Sequence, residues 1–278
     1  MLLRIIMTKF ETGFLLGRIP YIRMGDQSDP LIVINGGQGF VRKHSFDRMM
    51  HDAKRVARML PPTQGFILIG YDQQLDTKAT TETIVSDYER AIREMKVPAF
   101  SLMGGISYGG LLATRLAAAR EGSVKKLILV ASAHKFSENG EIRINRQIQF
   151  AQQEQYYELI NDFAAIFRNP PLLNLLLKIK LWVDRNKLPE KMNSGDAIVR
   201  YLQLIMQAEP VDLTAITART LIIGGELDQF FGDGMMEAAR NGIVDAKLEV
   251  LEGQTHMAPP VECSRPFRRF LTEFLDQS

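Results

Sequence analysis

The sequence has little cysteine: one thiol, Cys263, in 278 residues. A single thiol excludes an internal disulfide and any zinc site built on two thiolates, and it fits a reducing compartment. Long apolar runs are missing too. No stretch approaches the roughly 18 residues of a membrane-spanning helix. The richest, Leu172 to Val183, is interrupted by Asn174, Lys178 and Lys180. The start, Met1 to Met7, is shorter than a signal-peptide core and is closed by Lys9 and Glu11. A cytoplasmic protein without a membrane span is the expectation. An excess of one charge is also absent, with 34 Lys and Arg against 32 Asp and Glu. Without a basic stripe, nucleic acid is not an expected partner.

What is present is a rhythm of short, continuous apolar runs that end in Gly, Asn or Asp. They are Leu31–Ile34 before Asn35-Gly36-Gly37, Phe66–Ile69 before Gly70, Phe100–Met103 before Gly104, Leu127–Val130, and Leu221–Ile223 before Gly224-Gly225. Such runs suit strands buried on both faces, as in a parallel sheet. Helical patterns lie between them, at Phe46 to Leu60, Thr81 to Met95 and Tyr108 to Arg120. Strand alternating with helix predicts an α/β fold with a mostly parallel central sheet flanked by helices. Phe10 to Met24 reads as two strands turning near Gly17, an antiparallel edge. The rhythm stops between His134 and Ala218, where helices are expected at Arg146 to Phe167, Leu172 to Asp184 and Asp196 to Ala208. It resumes at Thr220 and at Lys247–Leu251. Residues 134–218 thus read as an insertion in a core made of 1–133 and 219–278.

Gly105-Ile106-Ser107-Tyr108-Gly109 follows one buried-strand pattern and opens a helix. A serine on a sharp strand-to-helix turn needs small neighbours, because its backbone is strained and strand and helix approach closely. Such a turn aims the Tyr108 N–H and the helix N-terminus at the serine's reaction site. The plain alternative is a Gly-rich turn with a capping serine.

A nucleophilic serine needs a base, and the base an orienting carboxylate. His44 and His51 lie among charged residues, and His134 begins the insertion. In the chain order serine, acid, histidine, only His256, in Gly253-Gln254-Thr255-His256, lies downstream of both partners. The acid candidate is Asp228 in the turn after the Leu221–Ile223 strand, with Glu226 as a rival; either can instead cap the helix expected near Gly232. Asp228 is preferred because it lies farther out in the turn.

With these motifs and Asn35-Gly36-Gly37-Gln38-Gly39, the chain resembles the α/β-hydrolase family from about Gly17 to Phe274. The resemblance implies a Ser107–His256–Asp228 triad. It places the acid after the seventh strand, since Ser132-Ala133-His134 after the sixth holds no carboxylate. It also implies a helical cap at 134–218, between the sixth and seventh strands. Tyr108 supplies one oxyanion N–H, and Gly37, or else Gln38, the other. Many relatives begin this loop His-Gly, where Asn35-Gly36 stands here. Many also carry Asp-x-Arg-Gly, where this chain has Asp72-Gln73-Gln74.

The apolar residues of Leu172 to Trp182 recur at spacings of three and four, so one face is expected to pack on the core; the apolar excess beyond that face points to a lipophilic pocket over Ser107, with Phe230 and Phe231 adding to it and Gln38 and Trp182 as substrate contacts. The expected reaction is cleavage of an ester, or a related acyl or carbon–carbon bond, in a small, fairly apolar molecule. No metal or organic cofactor is called for. A lyase or acyltransferase using the same triad, or a non-catalytic small-molecule receptor, are the alternatives. The partner expected is the substrate; a homodimer is compatible with the sequence.

Overall fold

A computed structural model describes residues 10–25, 30–97, 100–104, 107–120, 122–164, 171–256 and 265–277. Met1 to Met7, Gly105, Ile106, Ile166, Phe167, Pro170 and Cys263 lie outside the described residues, as do the side chains of Leu172, Leu173 and Leu177.

Eight strands form one sheet: β1 (Phe10–Leu15), β2 (Ile19–Met24), β3 (Leu31–Ile34), β4 (Phe66–Ile69), β5 (Phe100–Gly104), β6 (Val124–Val130), β7 (Arg219–Leu227) and β8 (Ala246–Thr255). Their order is β1-β2-β4-β3-β5-β6-β7-β8. β1 and β2 form an antiparallel hairpin, β2 pairs antiparallel with β4, and the remaining pairs are parallel. Leu16 and Gly17 carry the hairpin turn with φ of 51° and 71°.

The apolar runs behave as their composition requires. Every residue of β3 and β4 is buried, and successive residues serve opposite faces. Ile32, Ile34, Ile67 and Ile69 join the core that packs α4 (Tyr108–Ala119) and α3 (Thr81–Glu94). Leu31, Val33, Phe66 and Leu68 join a second core beneath α2 (Phe46–Met59) and α10 (Arg265–Asp276). The helices start at short polar caps: Ser45 accepts from Arg48 N–H at 3.2 Å for α2, and Thr80 from Thr83 N–H at 3.2 Å for α3.

Between β6 and β7 the chain forms α5 (Glu138–Gln152), α6 (Tyr156–Ala164), α7 (Pro171–Val183), α8 (Leu188–Lys191) and α9 (Gly195–Met206). The single helix expected over Arg146 to Phe167 is two. Glu154 takes φ 52°, and Gln155 N–H bonds back to the Phe150 carbonyl at 2.8 Å, so the chain turns. The strand before Asp228 is also longer than expected, running through Gly224-Gly225 to Leu227.

The insertion is fastened to the core at both sides of the strand ends. Asn193 donates through its side chain to the carbonyl of Phe40, in the short helix α1 (Gln38–Val41), at 2.7 Å. On the other side, Ser137 N–H bonds to the Phe230 carbonyl at 2.8 Å. Gly140 lies so close that a Cβ there would meet the Phe230 carbonyl oxygen at 2.4 Å. Among the described residues, no helix is long and apolar enough to cross a membrane.

Candidate active site

The sheet order reverses at β3, which has β4 on one side and β5 on the other. In a parallel sheet, the crevice at the carboxyl ends of such strands is where ligands bind. Ile34 is level with Ile69 and Gly104, so the loop starting at Asn35 and the turn carrying Ser107 emerge side by side.

Ser107 has φ 68° and ψ −112°, outside the regions open to most residues, immediately before α4. The turn closes only because its neighbours lack side chains. A Cβ at Gly104 would stand 2.3 Å from Gly110 Cα, and one at Gly109 would stand 2.5 Å from the Ile34 and Asn35 carbonyl oxygens. Ser132 holds the turn from β6, donating its hydroxyl to the Ser107 carbonyl at 2.9 Å.

Asp228 and His256 are brought together by strand register. Leu227 at the end of β7 pairs with Thr255 at the end of β8, so the next residue on each strand meets the other. His256 Nδ1 lies 2.9 Å and 3.0 Å from the two Asp228 carboxylate oxygens. Phe230 and Phe231 N–H groups donate to Asp228 at 2.8 and 2.9 Å. Burial pushes the Asp228 carboxyl up. The opposing charge of His256, its hydrogen bond and the two backbone donors outweigh that and hold it below the ordinary value. With Nδ1 engaged, Nε2 is the nitrogen left to exchange a proton. The ring is 1% exposed and packs against Phe230 and Phe231, with centroids 4.7 and 5.7 Å away. Glu226 is exposed and accepts from Gly253 N–H at 2.8 Å; it braces the end of β8 rather than reaching the imidazole.

Gly37 caps α1 and Gln38 opens it, while Tyr108 opens α4. First-turn N–H groups have no intrahelical acceptor, and Gly37, Gln38 and Tyr108 line the same cavity as Ser107. The Asn35 side chain sets the loop. Its Oδ1 accepts from Gly36 N–H at 2.9 Å, and its Nδ2 donates to Asp52 at 3.3 Å. Asp52 is buried on α2 and ion-paired with Arg48 at 3.3 Å and Arg55 at 3.8 Å. Asp72-Gln73-Gln74 has a local role as well. Asp72 pairs with Arg18, and Gln73 accepts from His44 N–H at 3.3 Å.

A cavity of about 80 Å³ joins these parts, lined by Ser107, His256, Gly37, Gln38, Tyr108 and Phe230. Its apolar lining from the insertion is Phe136, Ile144, Phe163 and Leu202, which lie on or before α5, α6 and α9. The expected contribution of Leu172 to Trp182 is not there among the described side chains. Leu175, Leu176 and Ile179 of α7 are about half exposed. Trp182 is 55% exposed, has the Arg185 guanidinium 4.1 Å over its ring, and does not line the cavity. The helical period revealed an apolar surface on α7 without saying what it faces. Phe231 is buried and stacks on Phe136 at 5.1 Å. Among the described residues, His256 is the one histidine lining the cavity. His51 is exposed on α2, His44 meets the edge of Phe14, and His134 is half-buried after β6.

Two contributors carried no sequence signal: Ser132 and Asp52. Each is a common residue whose place in the site depends on contacts distant in the chain.

A family model described as alpha/beta hydrolase fold matches residues 26–262. A search of curated protein sequences finds no match. Among solved structures, the chain is similar to an enol-lactonase from Burkholderia xenovorans, at 16% identity and a TM-score of 0.75, covering 96% of this chain and 100% of that one. It is similar to an esterase from Exiguobacterium antarcticum, at 21% identity and 0.72, covering 98% and 100%. An alpha/beta hydrolase from a Medee basin deep-sea metagenome library matches at 18% identity and 0.72, covering 94% of each chain. At these identities the likeness speaks for the fold.

Proposed function

The chain belongs to the α/β-hydrolase fold family, and on that premise we propose that it is a serine hydrolase cleaving a carboxylic ester, or a related acyl bond, in a small molecule with a fairly apolar part. One observation carries the reading. A serine on a positive-φ turn shares a cavity with an imidazole whose Nδ1 is held 2.9 Å from a buried carboxylate.

In this reading Ser107 attacks the acyl carbon while His256 takes its proton through Nε2. Asp228 keeps Nδ1 protonated and stabilises the imidazolium. The N–H groups of Tyr108 and of Gly37 or Gln38 receive the oxyanion, held in place by α4 and by the Asn35–Asp52 contact. His256 then returns the proton to the leaving group, and water repeats the sequence on the acyl-enzyme. The helical insertion at 134–218 acts as a cap. Its apolar side chains from α5, α6 and α9 face the reacting centre, exclude water and select the substrate.

Support for the cap comes from its two anchor points, one on the oxyanion loop at Phe40 and one on the acid loop at Phe230. The test is labelling by a fluorophosphonate probe together with turnover of p-nitrophenyl esters from acetate to octanoate. Labelling that disappears in Ser107→Ala, with turnover of at least one ester, is the expected result. No labelling at any pH at which the protein is folded sinks the proposal.

A further inference from the structure

Among the described residues, Gln147 is the polar side chain of the insertion that lines the cavity, and the reaction above does not use it. It lies on α5, is 0% exposed, and lines the cavity among Phe136, Ile144, Phe163 and Phe230. Its amide orientation is determined by Asp162 on α6. That buried carboxylate receives Gln147 Nε2 at 2.8 Å and Arg143 Nε at 3.1 Å, and it also pairs with Arg146. A carboxylate between two guanidinium groups accepts and does not donate, so the amide nitrogen must be the end that faces it. The amide oxygen, Gln147 Oε1, therefore turns away from Asp162. It is buried and has no hydrogen-bond partner.

A buried acceptor without a donor is costly, and native proteins rarely leave one. Here it belongs to a residue that borders the reaction cavity together with Phe136, Ile144, Phe163 and Phe230. We propose that Gln147 Oε1 is a specificity-determining acceptor that receives a hydroxyl or N–H of the substrate. This rests on the hydrolase reading and narrows its substrate class: a small ester or acyl compound carrying a hydrogen-bond donor on the part lodged beneath the insertion. Arg143 links this acceptor to the catalytic end, since its guanidinium stacks over Phe230 at 5.6 Å and Phe230 packs on His256.

The experiment compares matched esters differing by one hydroxyl. On the acyl side these are p-nitrophenyl butyrate against its 3-hydroxy and 4-hydroxy analogues. On the alcohol side they are ethyl butyrate against 2-hydroxyethyl butyrate. We expect the wild type to prefer the hydroxylated member of at least one pair by roughly 10- to 100-fold in kcat/KM, because a site offering a buried acceptor discriminates against a ligand lacking the donor. Gln147→Leu should reduce that preference to within about threefold. Gln147→Met is the second variant should Leu disturb packing, and the rate of fluorophosphonate labelling reports whether the reaction centre is intact in each. A wild type that labels normally yet treats every pair within twofold overturns the inference, without bearing on the hydrolase reading. So does a preference that survives in both Gln147 variants. A wild type that does not label at all removes the hydrolase reading and this inference with it.

Discussion

Tyr108 donates its phenolic hydrogen to the Tyr201 carbonyl across 2.6 Å, which ties the residue after the candidate nucleophile to α9 of the insertion. The bond sits in an aromatic cluster. Phe40 lies 4.7 Å from Tyr108 and 4.8 Å from Tyr201, and Tyr71 meets both tyrosines edge-on. Tyr71 in turn donates to the Asn35 carbonyl. The turn carrying Ser107, the loop at Asn35 and the helices between β6 and β7 therefore share one buried support. In Tyr108→Phe the ring packing survives and the Tyr201 carbonyl keeps its place in the α9 ladder, so the loss is one tertiary hydrogen bond, about 0.5–1.5 kcal/mol. Urea denaturation should show that loss. The kcat should stay within about threefold, since the backbone N–H assigned to the oxyanion is unchanged. A large fall in kcat with unchanged stability would contradict this division of roles.

Ser107→Ala and His256→Ala should each lower turnover by roughly 10³ to 10⁶, and the double variant little further, because such residues act as a unit. Asp228→Asn should cost on the order of 10² to 10⁴ through the wrong imidazole tautomer. Glu226→Gln should cost far less, because Glu226 reaches the Gly253 N–H and not the ring. Steady-state kinetics on one ester decides the ranking, and its reversal would move the acid role to Glu226.

The Asn35–Asp52 contact predicts a positional effect. Asn35→Ala removes the acceptor of Gly36 N–H and the donor to Asp52 together. The loop then loses its fixed aim, and kcat should fall roughly 10- to 100-fold with KM changed less than about threefold. Asp52→Asn keeps an oxygen that can accept from Asn35, so its kcat should fall less. Equal effects on KM and kcat in Asn35→Ala would point to substrate contact instead.

The buried phenols make stability depend on alkaline pH. Burial, the foremost cause for each, raises Tyr71, Tyr88, Tyr108 and Tyr201 above the ordinary phenol value. A group raised in the folded state contributes stability that is complete below its unfolded value, about 10, and is lost as pH climbs above it. Absorbance at 295 nm should therefore show these four of the seven tyrosines ionising only as circular dichroism reports unfolding. Ionisation of all seven while the dichroism is unchanged would refute the assignment of these phenols as buried.

Features local in the chain were legible from residue order alone. The continuous apolar runs demand strands covered on both faces, and Gly104, Gly109 and Gly110 around Ser107 demand a turn that side chains would block. The positions of Asp228 and His256 after two late strand runs were legible for the same reason. Tertiary structure decided what depends on partners far along the chain. The pairing of Leu227 with Thr255 set Asp228, and not Glu226, against the imidazole. The break at Glu154 arose in a polar stretch with good helix propensity, so α5 and α6 could fold back and bring Gln147 to Asp162. From the segment between β6 and β7 the cavity took Phe136, Ile144, Phe163 and Leu202, while much of α7 stayed exposed. Helical periodicity reveals that a face is apolar; which surface covers it is settled by packing between elements distant in sequence.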